Sequence, residues 1–358
     1  MIMVNNNGGE QALGAFKHAD WNGFTPTDLV FPTFLFLVGV AIVYSTAARL
    51  AQGATTSEIF SHALRRSVIL FLLGLVVNSF PYFDLATMRY YGVLPRIAIC
   101  NLVVTALYLI SPAWRNKLVL AIAALVSYWA VMRFVPVPGY GVPAQDIALL
   151  DPNANLAAWL DRQIFSAAHL YERTRDPEGL LSTLPALATT LMGLLAGCWL
   201  RSDRTLKTKV QGLALAGIIC VLLGAAWNFD FPINKKLWTS SFVLFAGGWS
   251  LLLLAVFLYI ADLRRASESH TNAPGWYTPL LVLGTNSIAA YVFSELLAPP
   301  LGIIKINENL SLQQWLSESL QHLIPNGALA ALTYSLLYLA VCWLPMYWLY
   351  RRKLFIKI

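Results

Sequence analysis

The chain has 358 residues, 58% of them hydrophobic and 12% charged, with a formal net charge of +7 and a mean hydropathy of +0.60. Soluble domains carry about a quarter charged residues, so this composition excludes a disordered chain, a coiled coil and an ordinary water-soluble enzyme. The solvent it implies is lipid.

In chain order, Met1-Ile2-Met3-Val4 is apolar but gives way at once to Asn5-Asn6-Asn7-Gly8-Gly9. That stub is too short to span a bilayer and lacks the basic region of a signal peptide. It reads as the last turn of a helix whose beginning is absent, as in a truncated chain or one with a misplaced start. Uncharged stretches of about 20 residues follow at Leu29–Ala48, Leu180–Leu200, Val210–Phe229, Leu237–Ala261 and Ala328–Tyr350, matching the length a helix needs to cross the hydrocarbon. Ser67–Phe83, Ile97–Trp114, Leu118–Val135 and Pro279–Pro299 are shorter or carry one charge, Arg133 and Glu295 in the last two. None alternates with the period-two pattern of membrane strands. The expectation is an all-α, polytopic membrane helix bundle of nine complete transmembrane helices plus the remnant of a preceding one. Residues 1–358 form a single integral membrane domain in this reading, with residues 1–28, 136–179 and 300–327 as its long outer loops.

Nine spans place the loops on alternate sides. The side reached after the first span, including Arg49, Arg65, Arg66, Arg264, Arg265 and Lys357, carries a net +11, and the N-terminal side −4, together the +7 of the whole chain. The positive-inside rule then puts the C-terminus in the cytoplasm and the N-terminal loop outside, in a plasma or inner membrane. Basicity so distributed reflects topology and anionic lipid, and no nucleic-acid partner follows from it.

Cys100, Cys198, Cys220 and Cys342 have no metal-ligand spacing, and no metal is implied. Gly193 and Gly197 form a GxxxG pair that marks close helix packing. Polar chemistry concentrates on the outer side. His18-Ala19-Asp20-Trp21-Asn22-Gly23-Phe24-Thr25-Pro26-Thr27-Asp28 runs into the first span, where Thr27 or Asp28 can cap the helix. Two readings of His18 stand side by side: an interfacial histidine hydrogen-bonded to water, or a general base whose imidazole takes a proton from an amine or hydroxyl. His62 and His270 fall in inner loops, His169 in the long outer loop and His322 in a polar segment before the last span, which makes them weaker candidates.

A second cluster spans Asp230 to Ser241, where Lys235, Lys236 and Trp238 can anchor a helix at the interface, or Asn234, Thr239, Ser240 and Ser241 can offer donors at its N-terminus. A third runs from Arg173 to Gly179. Arg96 stands at another helix entrance, where burial would require an acidic partner such as Asp176 or Glu178. Asn309-Leu310-Ser311 fits a glycosylation sequon.

The motifs VNN, HADWNGFTPTDLVFPTFLFLVGVAI, GVLPRIAICNLV, DPEGLLSTLPALATTLMGLLAG, FPINKKLWTSSFVL, GTNSIAAYV and YRRKLFIKI, in that order over nearly the whole chain, resemble the heparan-alpha-glucosaminide N-acetyltransferase family. The LDxxRG-type motif that precedes VN in that family is not in this sequence. The resemblance implies a membrane acyltransferase that takes acetyl from cytoplasmic acetyl-CoA and passes it to an amino sugar or related glycan on the far side. It implies His18, Asn5 and Asp28 as catalytic residues, with His18 as general base or acetyl carrier. Asn5, with Asn6 and Asn7 as alternatives, would donate to the thioester oxyanion. Asn234, Lys235, Trp238, Ser240 and Asn286 would surround the pantetheine arm, and Arg65 and Arg66 the CoA phosphates. Asp20, Trp21, Asn22, Arg96, Asp176 and Glu178 would meet the acceptor. The partners are then the lipid bilayer, acetyl-CoA, the glycan acceptor and a second copy in a homodimer. A transporter or flippase for a sugar or lipid-linked solute is the alternative.

Overall fold

A computed structural model describes residues 1–263, 277–308 and 310–356. Arg264, Arg265, His270, Asn309 of the sequon and Lys357 lie outside the described residues.

Local capping chemistry sets where several helices begin. Thr25 and Asp28 form a capping box around Pro26, whose fixed φ suits a first helical position, and this Pro26–Leu29 turn leads into α2 (Val30–Ala51) after a single turn of helix, α1 (Ile2–Asn5). Thr55 and Glu58 make the same box at the start of α3 (Thr56–Ser79). Arg65 and Arg66 therefore lie within a helix and not in the loop expected for them, because the cap sits well before the apolar run. The bundle continues through α4 (Val93–Ile110), α5 (Trp114–Phe134), the short α6 (Leu156–Ile164), α7 (Thr183–Leu200), α8 (Leu206–Trp227) and α9 (Ser240–Leu258).

The stretch Pro279–Pro299 departs from expectation. It forms α10 (Thr278–Thr285) and α11 (Ser287–Ile303), bent by 82° at Asn286, so the described residues contain eight continuous helices able to cross a membrane, and a ninth span if the bent pair is counted as one. A two-strand ribbon (Lys305–Asn307 with Leu310–Ser311), α12 (Leu312–Leu323) and α13 (Gly327–Arg351) complete the fold. Exposed Leu215, Ile218, Leu222 and Leu223 on α8 and Leu72 and Val76 on α3 give the bundle an apolar outer surface, which suits lipid.

α2 lies along α7, α3 along α4 and α8 along α9. The α2–α7 approach is backbone on backbone: a Cβ at Gly193 would stand 1.8 Å from the Phe36 carbonyl oxygen, and one at Gly39 2.0 Å from that of Thr190. The GxxxG pair thus does what its spacing suggests, since helices in lipid associate through close packing. Alternating helix directions gather the starts of α2, α4 and α9 and the end of α3 at one end of the bundle.

Replacing Gly193 by Ala should wedge α2 from α7 and destabilise the purified protein by about 1–3 kcal/mol. Gly14, with open space around its Cβ position, should tolerate Ala. Thermal melts in detergent compare the two.

Candidate functional site

At the end of the bundle where α2 begins, a cavity of about 630 Å³ is lined by Asn5, His18, Asp20, Asp28, Glu178, Lys235, Trp238 and Glu295, among others. Its centre is organised by Asp28, which is 1% exposed. One carboxylate oxygen accepts from the Thr25 N–H at 3.0 Å and the Ala19 N–H at 3.2 Å, and the other lies 2.7 Å from His18 Nδ1. Asp28 thus caps α2 and aims the imidazole in one stroke. With Nδ1–H donating to Asp28, Nε2 is the basic nitrogen. Lys235 Nζ stands 3.3 Å from Nε2, 2.9 Å from Nδ1 and 3.6 Å from Asp28. Burial lowers the Lys235 ammonium below its ordinary range, against the opposing pull of Asp28.

Lys235 reaches His18 because the loop before α9 is tied to the loop before α2. The Gly23 N–H donates to the Ile233 carbonyl at 2.8 Å, and Asn234 Nδ2 donates to Asn22 Oδ1 at 3.1 Å. Asn234 Oδ1 accepts from the Leu237 N–H, and Tyr128 donates to the Leu237 carbonyl. This turn puts Trp238 at φ +54° with its ring against Phe31 and Phe242 and its indole N–H on Thr189.

The facing wall is ionic. Arg89 donates to Asp176 at 2.7 and 2.5 Å and also binds Glu178, while Glu172 accepts from Lys236 at 3.0 Å and pairs with Arg175. Arg89, not Arg96, is therefore the partner of Asp176 and Glu178. Arg96 is buried and donates to the Gly179 carbonyl and Ser182, with its guanidinium 5.1 Å from the Trp238 ring. The Gly179–Leu180 turn is held in addition by Asp161, which accepts from the Leu180 N–H at 3.0 Å and whose carboxyl burial pushes up to about 6.

The residues singled out in the sequence separate here into three groups. His18, Asn5, Asp28, Asp20, Lys235, Trp238 and Glu178 line the cavity. Asn234, Ser240, Trp21, Asn22, Arg96 and Asp176 stand behind its wall: Ser240 donates to the Leu125 carbonyl, and the Trp21 indole to that of Leu150 beneath the Arg175 guanidinium. Asn286 is at the other end of the bundle, holding the C-terminal segment through Leu354 and Ile356, because the break in the helix turns it there. Arg66 is also at that end, in a small pocket with Arg49, His62, Ser45, Thr46, Asn101 and Thr105, and its Nε is buried with no partner among the described residues. Arg65 is exposed and does not line that pocket. Residues not foreseen as part of the site are Arg89, Tyr171, Glu172, Lys236, Tyr291 and Glu295. For Glu295 a signal existed, since an acid within an apolar span is itself a mark of function. For Arg89 there was none.

The raised carboxyl of Asp161 makes a pH prediction. A folded-state value above the ordinary 3.8 favours the native state when protonated, and that contribution is lost as pH rises through about 6. Asp161→Asn should therefore melt higher than wild type above pH ~7 and converge with it near pH ~4, as followed by thermal denaturation.

Residues 15–227 match the catalytic domain of the heparan-alpha-glucosaminide N-acetyltransferase family. The chain is 28% identical over 414 aligned residues to the heparan-alpha-glucosaminide N-acetyltransferase of Mus musculus and 28% over 412 to that of Homo sapiens, with all of this chain and 58% of each relative covered. The chain thus spans little more than half the length of these curated relatives. A family match that begins just before His18 and runs to the end of α8, on helices that cross a membrane, leaves one assignment: the chain belongs to the heparan-alpha-glucosaminide N-acetyltransferase family.

Proposed function

We propose that this protein is a transmembrane acyltransferase that moves the acetyl group of acetyl-CoA, supplied from the cytoplasm, to the amino group of an amino sugar or related glycan on the opposite side. The observation that carries the reading is the Asp28–His18–Lys235 cluster on the wall of a cavity that also reaches Tyr291 and Glu295 in the broken helix. The volume of that cavity suits a thioester arm and a sugar ring.

In this reading the acceptor amine attacks the thioester carbonyl, the C–N bond forms and the C–S bond breaks. His18 Nε2 takes the amine proton, and the proton leaves with the CoA thiol. The second route has Nε2 itself accept the acetyl group and pass it on, with the same overall balance. In both, the Lys235 ammonium must yield its place at Nε2 when the reactants bind. Asn5 is the candidate donor to the carbonyl oxygen as it gains charge.

The Arg49–His62–Arg66 pocket has no acid in its lining, which suits the phosphates of CoA, and the charge balance of the loops would put that end in the cytoplasm. Arg65, although exposed, neighbours it in the helix. Asp20 and Glu178 line the mouth, where a cationic amino sugar would be attracted. A transporter remains the second reading because Glu295, a carboxylate within a span, lines the cavity, as a solute pathway would require.

Proteoliposomes loaded with acetyl-labelled acetyl-CoA and offered glucosamine outside separate the two. His18→Ala should lower acetyl transfer by about 100-fold or more. Transfer at the wild-type rate would overturn the catalytic assignment, and uptake without acetylation would favour transport. Arg66→Ala should raise KM for acetyl-CoA by about 10-fold or more while leaving kcat nearly intact. An unchanged KM would remove the inner pocket from the donor path.

A further inference from the structure

Glu295 is the one acid in the Pro279–Pro299 stretch, and it lies on α11 beyond the break at Asn286, on the wall of the cavity that holds His18. Its Oε1 accepts from Asn5 Nδ2 at 2.7 Å. Asn5 is separated from Glu295 by 290 residues, yet both are placed by one helix. On α13, Tyr338 donates to the Ser294 carbonyl at 2.6 Å, and Ser335, one turn earlier, donates to the Asn6 carbonyl at 3.0 Å. These two bonds fix the backbone next to each member of the pair.

A carboxamide has two N–H hydrogens and one carbonyl oxygen. Glu295 takes one hydrogen of Asn5, and the other, with Oδ1, has no partner among the described residues. That bond restrains the amide plane, and so sets the direction of the N–H that remains, through the position of the acceptor oxygen.

We propose that Glu295 is a positioning residue for acyl transfer: its carboxylate holds the Asn5 side chain so that the remaining N–H is offered to the thioester oxygen. The proposal rests on the acyltransferase reading above and adds to it a residue and a physical job. It also gives the broken helix a purpose, because a bend at Asn286 lets the second segment carry a carboxylate to the cavity while the first remains with the C-terminal segment at the far end.

The test uses the whole chain in the proteoliposome assay with Asn5→Ala, Glu295→Ala, Glu295→Gln and the Asn5→Ala/Glu295→Ala pair. Asn5→Ala and Glu295→Ala should each lower kcat by on the order of 100-fold, the loss typical of one oxyanion donor. KM for acetyl-CoA should stay unchanged, and the double variant should be no slower than the slower single one, since both remove the same interaction. Glu295→Gln, nearly identical in shape and still presenting an oxygen to Asn5 Nδ2, should restore most of the rate with the pH profile of kcat unmoved. Its melting temperature checks that the fold is intact. Additive losses in the double variant would overturn the proposal, as would a Gln variant as slow as the Ala variant or one with a displaced pH profile, because ionisation of Glu295 would then be what matters. Full activity in Asn5→Ala, with His18→Ala inactive, would overturn the positioning role and leave acyl transfer standing. Transfer independent of His18 would instead defeat the acyltransferase reading itself.

Discussion

Asp28 is a carboxylate withdrawn from water at the mouth of a membrane bundle, and a charge in that position has to be met by donors. The Thr25 and Ala19 amides, His18 and Lys235 supply them. Leaving a buried acceptor short of one donor typically costs about 1–3 kcal/mol. From this one requirement follow the start of α2, the direction of the imidazole and the return of the 228–239 loop to the N-terminal segment. The same bonds that stabilise the helix start turn Nε2 of His18 away from Asp28 and toward the cavity side of Lys235.

The rest of the cleft repeats the solution at larger scale. Arg89 with Asp176 and Glu178, and Lys236 with Glu172 and Arg175, bring acids and bases from distant parts of the chain into mutual neutralisation. A wall so built can face water, an ammonium or an anion without carrying a large net charge of its own. Behind it, Arg96 lies over the Trp238 ring and reaches the Gly179 carbonyl, coupling α4, the loop before α7 and the loop before α9. The members of the wall are tied through backbone groups as well as through charge.

The two halves of the cavity differ in how they are held. On one side α2 and α7 meet at Gly39 and Gly193, backbone to backbone, and carry the cap that fixes His18. On the other side α11 packs less extensively and is fixed near the cavity by Tyr338 on α13, bringing Glu295 to Asn5. The chemistry proposed for the site places the base on the tightly packed half and the oxyanion donor at the joint with the broken helix.

The membrane character, most of the helices and the surroundings of His18 were legible in the residues alone. Transfer of apolar side chains into lipid is additive along a segment, and a capping box needs only four consecutive residues. Asp28 and His18 could be read together because they lie ten residues apart. Lys235 could be suspected but not joined to them, and Arg89 and Glu172 were invisible, since an ion pair between residues 87 or 64 positions apart leaves no local trace. Asn286 and Glu295 illustrate the division most directly. Both belong to one apolar stretch that by composition is a single span, yet the stretch bends by 82° at Asn286, which holds the C-terminal segment, while Glu295 on the helix that follows meets Asn5 at the cavity wall. Sequence by itself determined which segments enter the membrane and which polar residues stand at their ends. Only the tertiary structure decided which of those residues meet, because the energy of burying a charge is settled by partners that the chain brings from far away.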